Sequence, residues 1–293
     1  MTNSLGSTII VFSLLSFATL TVSCRQHRTP KSITFKRVVM SQVDLPEENK
    51  NNTEVQRHSS LSLADSISTI CKPAPLSDVS EQILKKKAYI VSYNKNTRNP
   101  NWVAWHLTAE HADGRLPRSD DYREDIEVPA PRATNEDYKG SGWSRGHMCP
   151  AGDNKWDEVA MSESFLLSNM CPQDKGFNSG LWNRIEMDCR KWAKKYGDIY
   201  IVCGPVLLNR EHETIGTHHV VVPEAFFKVI LCLRGTPKAI GFIIRNNEGK
   251  KKRDQYINTV DEVERITGID FFPSLPDKIE NEVEANANIN DWK

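Results

Sequence analysis

SRGHMCPAGD at residues 144–153 and LLSNMCPQDKGFNSGLWNRIEMDCRKW at residues 166–192 decide how this chain is read. His147, Asn178, Glu186, Arg145 and Arg190 crowd into one short span that otherwise alternates strand, loop and helix signals. Such a group suits hydrolysis of a phosphodiester. Water is a weak nucleophile at neutral pH and a 3′-oxygen is a poor leaving group, so a site needs a base, a divalent cation and extra positive charge for the phosphate. His147 is the candidate base: an imidazole with a pKa of roughly 6.5 is mostly neutral at pH 7, and a carbonyl on its other ring nitrogen would hold it ready. Gly146 would let the backbone pass close to a phosphate. Arg145 and Arg190 offer forked donors that match phosphate oxygens better than lysine does.

Magnesium prefers oxygen ligands and keeps several waters, so a site needs only one or two protein oxygens. Asn178 and Glu186 meet that demand. Leu181, Ile185, Cys189, Trp192 and Ala193 recur at helical spacing and predict a helix over 181–196 with one buried face. Glu186 and Arg190, four apart, then share a neighbouring face. The glycine-bounded run 175–180 predicts a loop, with Asn178 just ahead of the first turn.

With YNKNTRNPNWVAWHLT at 93–108 and VDEVERITGIDFFPSLP at 260–276, these ordered blocks resemble the DNA/RNA non-specific endonuclease family, whose metal site carries a DRGH motif. The likeness covers residues 76–277. It implies an α+β chain with the ββα-metal nuclease fold, a central antiparallel sheet flanked by helices. It also implies a metal-dependent endonuclease that cuts DNA and RNA with little sequence specificity and leaves 5′-phosphate and 3′-hydroxyl ends. Magnesium is the implied cofactor, with manganese as the alternative cation. Position by position, His147 matches the general base, Asn178 the direct metal ligand, and Glu186 the acidic residue that holds water of the metal's shell. Arg145 matches the motif arginine and Arg190 the helix arginine near the scissile phosphate. Asn169 and Gln173 match polar residues that line the site and bind substrate, and Arg118 a further arginine ahead of the motif. Ser144 stands where the family usually has aspartate, a position that is neither base nor ligand, so the departure bears on support of the loop.

Plainer roles compete for each residue. Glu186 and Arg190 could form an ordinary surface ion pair, Asn178 could cap the helix, and Asn169 and Gln173 could serve turn hydrogen bonds. His147 with Cys149 and Cys171 lacks the paired spacing of a tetrahedral zinc site. His218-His219 reads as the entrance to a strand. No phosphate-loop or dinucleotide glycine motif occurs. Two other functions stay open: a catalytically silent nucleic-acid-binding surface protein with the same fold, and a phosphodiesterase acting on another diester.

The chain has 293 residues with 38 basic and 38 acidic side chains, so no global basic field draws in nucleic acid. Binding must rest on a local patch, for which Lys85-Lys86-Lys87, Lys95, Arg98 and the motif arginines are candidates. Strands are expected near 89–93, 102–107, 199–203, 219–222, 226–233 and 239–244, and helices near 162–167 and 259–267. Strands in succession with helices among them favour α+β. Residues 278–293 form an acidic tail expected to fray.

At the other end, residues 1–23 read as a signal peptide, and Leu20-Thr21-Val22-Ser23-Cys24 resembles a lipoprotein cleavage box. Export follows, to the periplasm, as an outer-membrane lipoprotein or as a secreted protein, with membrane attachment through a lipidated Cys24. An uncleaved anchor is the competing reading. Residues 24–75, rich in Ser, Asn, Thr and charge, read as a flexible polar tether. Of seven cysteines, six remain if Cys24 carries lipid, an even number that permits disulfide pairing.

Overall fold

The computed structural model describes residues 70–293. Its strands are β1 (Gln82–Lys85), β2 (Ile90–Asn94), β3 (Asn99–Thr108), β4 (Ser144–His147), β5 (Met170–Gln173) and β6 (Asp198–Val206). They continue with β7 (Thr214–Ile215), β8 (Val220–Val221), β9 (Ala225–Cys232), β10 (Lys238–Arg245) and β11 (Ile257–Asn258). The α-helices are α1 (Ala109–Ala112), α2 (Asn135–Tyr138), α3 (Glu158–Glu163), α4 (Lys175–Phe177), α5 (Asn183–Tyr196), α6 (Val260–Thr267) and α7 (Asp277–Glu284).

Seven strands form one antiparallel sheet in the order β1-β2-β3-β6-β9-β10-β11. Side chains alternate faces along a strand, so each strand feeds two cores. Val103, Trp105 and Leu107 of β3 enter one core with Ile199, Ile201 and Cys203 of β6. Trp102 and Ala104 enter the other with Val202, Phe227 and Val229. Helix α5 covers the first face with Ile185, Cys189, Trp192 and Ala193, as its apolar spacing predicts. The second face is covered by Val260 and Val263 of α6, Val283 of α7, and Phe271 and Phe272 between them. A sheet covered on both faces buries nearly every strand residue, which is why β6 and β9 read as continuous apolar runs.

Outside this sheet, β4 and β5 pair antiparallel, with His147 opposite Met170 and Gly146 opposite Cys171. The ribbon leads directly into α4 and α5. This ββα unit is the frame on which the sequence-predicted groups sit.

Several expectations change. Helix α3 lies at Glu158–Glu163 and not at 162–167, because Asp157 caps it by accepting the Val159 and Ala160 N–H groups. Residues 278–293 do not fray: α7 forms, and Trp292, 2% exposed, packs on Trp192 of α5 with ring centroids 4.7 Å apart. The expected tether stops short of 75, since Cys71 is buried in the second core and Ala74 N–H donates to Asp270 O. Residues 1–23, Cys24 and the rest of the tether lie outside the described residues. All six cysteines from Cys71 to Cys232 are buried free thiols, so they act as small apolar side chains and not as disulfides. No helix among the described residues is long and apolar enough to cross a membrane.

Candidate active site

A cleft of about 390 Å³ opens between the β4–β5 ribbon and the start of α5. Arg118, Arg145, His147, Asn178, Glu186 and Arg190 all line it, joined by Tyr122, Lys155, Ser179 and Asn183. Four cationic side chains face a single carboxylate there, so the positive patch that the balanced composition lacks is built locally. The lysine run does not contribute: Lys86 is buried against Asp125 and Glu127, and Lys87 pairs with Asp157. A second cleft, about 350 Å³, runs between residues 74–79 and 266–270, but Asp78 and Asp270 are its only charged side chains, so it offers no histidine and no cation for a phosphate.

His147 ends β4 and is 8% exposed. Burial, with the Arg118 charge adding to it, drives its pKa down to about 3, so the imidazole is neutral across the physiological range. No carbonyl holds the far ring nitrogen as the sequence reading expected: Nε2 is buried without a hydrogen-bond partner. Aromatic edges fix the ring instead. Phe165 lies 5.0 Å away at 90° and Tyr122 5.7 Å away at 62°.

Asn178 does not stand in a loop ahead of the helix. Asp174 caps α4 by accepting the Phe177 N–H, and the helical run continues through a π-helical turn, Asn178–Trp182, into α5. Leu181 and Trp182, both fully buried, hold this turn onto the sheet despite Gly176 and Gly180. π turns inside α-helices are often found at functional sites. Two turns on, half-buried Glu186 faces the same cleft. Burial, helped by Asp153 and opposed by Lys228, Arg190 and Arg118, pushes its carboxyl up to about 7.

Arg190 is not Glu186's surface partner. Its Nη1 donates to Asp153 Oδ1 at 2.7 Å, and Trp105 Nε1 donates to the other carboxylate oxygen at 3.1 Å. Burial pushes the Asp153 carboxyl up and Arg190 draws it back, while burial opposes the Arg190 charge and Asp153 restores it; we assign the pair as ionised. Arg145 is held in parallel fashion, donating to Asn135 Oδ1 at 2.9 Å with its guanidinium 4.5 Å from the Tyr122 ring centroid. Arg118 donates to Tyr122 Oη at 2.9 Å and lies over the Phe165 ring. Arg118 thus lines the cleft beside Arg145.

Asn169 and Gln173 do not line the cleft; both are fully buried. The Asn169 amide accepts the Cys149 N–H and donates to Cys149 O and Ser164 O, tying the loop after the motif to the segment after α3. Gln173 packs behind Gly146, where a Cβ would overlap its side-chain amide. Gly146 is therefore needed for this close approach, not only for access to phosphate. Gly146→Ala is expected to cost about 1 to 3 kcal/mol by overpacking. The check is a denaturant titration, in which Gly146→Ala/Gln173→Ala should recover most of the loss and an unaltered single variant would contradict the packing.

Sequence reasoning missed three supports. Asp153 stood inside the quoted motif without a role. Asn135, the first residue of α2, lies in a stretch to which the sequence assigned no element. Lys228, fully buried on β9, sits with its Nζ 4.4 Å from the Trp182 ring centroid and 5.0 Å from Trp105, without a hydrogen-bond partner. A single lysine inside AFFKVILC was its only signal.

Sheet, ribbon and helix together make this an α+β protein of the ββα-metal nuclease fold. The chain belongs to the DNA/RNA non-specific endonuclease family, whose profile matches residues 67–278. It is 38% identical over 205 residues to the human mitochondrial nuclease EXOG, covering 64% of this chain and 56% of that one. Human mitochondrial endonuclease G is 32% identical over 209 residues, 66% of this chain and 70% of that one. Nuclease C1 of Cunninghamella echinulata var. echinulata is 36% identical over 209 residues, 66% and 83% of the two chains. A chain in the crystal structure of the EndoG/EndoGI complex matches with a TM-score of 0.66 and 28% identity, covering 78% of this chain and 96% of its own. This chain spans little more than half the length of the EXOG relatives it matches.

Proposed function

We propose that this chain is a metal-dependent endonuclease that hydrolyses phosphodiester bonds in DNA and RNA with little sequence specificity. The observation that carries the reading is that His147, Asn178, Glu186 and the arginines 118, 145 and 190 line one cleft. His147, neutral and wedged between aromatic edges, takes a proton from the attacking water. Arg145 and Arg190 are oriented by Asn135 and Asp153 before substrate arrives, so their charge stabilises the transition state without reorganisation. Four cations lining the cleft favour phosphate contacts, which carry affinity but no sequence information.

The donor set fits a hard cation. An amide oxygen from Asn178 and a carboxylate from Glu186, with no thiol or second imidazole lining the cleft, match magnesium or manganese and not zinc. When bound, the cation supplies Lewis-acid stabilisation of the phosphate and the leaving oxygen. Asn178 is the proposed ligand, and Glu186 the carboxylate that orients its water.

Hydrolysis of plasmid, single-stranded RNA and a small diester, each with added and with chelated magnesium, tests the proposal. Cleavage of both polymers only with the metal is expected. Binding without cleavage would favour the silent protein, and cleavage of the small diester alone a different phosphodiesterase.

Glu186 gives a second check. Its carboxyl, up to about 7 without metal, favours the metal-free fold most below its ordinary 4.5, and that contribution is lost as pH rises through 7. At pH 6.5, titration with magnesium should release a proton and Glu186→Gln should not. Equal release from both proteins would remove Glu186 from the site.

We also propose that residues 1–23 direct export and that Cys24 anchors the protein, on the apolar run and cleavage box alone. Several relatives are named as mitochondrial nucleases, so a cell fractionation that finds this protein in an internal compartment would overturn export.

A further inference from the structure

On the sheet face away from the cleft, Asp261 and Glu264 of α6 and Glu284 of α7 each bring a carboxylate oxygen within 4.8 Å of the others. Glu284 is only 7% exposed, and its Oε1 is buried with no hydrogen-bond partner. It is also the last residue of α7, where the negative end of the helix dipole disfavours a carboxylate. The charges that bear on it most are Glu264, Glu280, Asp261 and Asp270, all carboxylates. Arg265, the basic residue in the last turn of α6, is engaged with Glu262. A buried, unpaired carboxylate facing further carboxylates is among the costliest arrangements a fold can hold without a cation.

We propose that Asp261, Glu264 and Glu284 bind one calcium ion that ties α6 to α7, separate from the cleft. Calcium accepts six to eight oxygens in flexible geometry, whereas magnesium holds its waters and a strict octahedron, so carboxylates on two helices suit calcium. Exposed Asp261 leaves a route of entry from solvent, and the remaining coordination falls to water. Both helices pack on β10, so the ion would reinforce that end of the sheet and add nothing to the cleft.

The test is thermal unfolding of the full chain with calcium, magnesium or chelator, and equilibrium dialysis against radioactive calcium. Calcium at about a hundredfold above Kd should raise Tm on the order of 5 to 10 °C in wild type and equally in Asn178→Ala. Glu264→Gln/Glu284→Gln should show no calcium shift, bind one ion fewer, and melt without calcium no lower than wild type. Asp261→Asn, exposed and free of packing, should weaken calcium binding about tenfold. A calcium shift undiminished in the double variant, unchanged affinity in Asp261→Asn, or no calcium retained by Asn178→Ala would overturn the site; in the last case the carboxyls hold protons instead.

Discussion

His147→Ala is expected to lower plasmid cleavage at saturating magnesium by about a thousandfold, within the range that one general base contributes. Stability should change little by comparison, because the ring that is lost buries a nitrogen with no partner. A variant within tenfold of wild type, with its fold verified by circular dichroism, would remove His147 from the base role. The pH profile adds an independent reading. Burial and Arg118 hold the imidazole down at about 3, so the free enzyme keeps its base unprotonated well below pH 6.5. With magnesium saturating, so that Glu186 stays ionised, kcat/KM should therefore stay level between pH 8 and 6 rather than fall along an ordinary histidine titration. By linkage, this depressed group contributes stability that is complete above pH 6.5 and is lost as pH falls toward 3.

Asp153→Ala should be the most damaging substitution outside the groups that touch substrate. Removing one partner of a buried ion pair leaves the other charge uncompensated, and the Arg190 side chain keeps 21% exposure, so a cost of about 3 kcal/mol is expected. Activity should fall further than stability explains, since Arg190 loses the acceptor that aims it and small misplacements near a reacting phosphate cost about a hundredfold. Asp153→Asn separates the effects: it can keep the Trp105 bond but not the charge. Denaturant midpoints and kcat measured on both variants decide the matter. Two variants with wild-type turnover would mean that Arg190 is held by something other than Asp153.

Much of this is legible in the sequence itself. Apolar runs place β3, β6, β9 and β10, and helical spacing places α5 and α6, to within a few residues, because strands covered on both faces and helices with one buried stripe leave those patterns. Residue type and order point to His147, Asn178, Glu186, Arg145 and Arg190, the resemblance alone to Arg118, and nothing in the sequence to Tyr122 or Lys155, which share the cleft. What was missed follows from causes that spacing does not carry. Asn169 and Gln173 are as polar as site residues, yet only tertiary packing shows that Asn169 spends its hydrogen bonds on Cys149 and Ser164 and Gln173 its bulk behind Gly146. Arg190's partner lies 37 residues upstream, a pairing that the i to i+4 rule cannot see. The C-terminal segment looked unstructured by composition, but one tryptophan supplies enough apolar surface to dock it on α5.

The π-helical turn at Asn178–Trp182 has a consequence for how the family can vary. Such a turn is in effect a single residue inserted into a helix. Removing one residue between 178 and 182 would restore ordinary winding and erase the local widening at the N-terminal end of which Asn178 sits, so its amide would leave the position it holds at the cleft while the flanking turns kept their faces. The placement of the proposed ligand is thus encoded by chain length, a quantity that point substitutions leave untouched and that evolution can alter only by insertion or deletion.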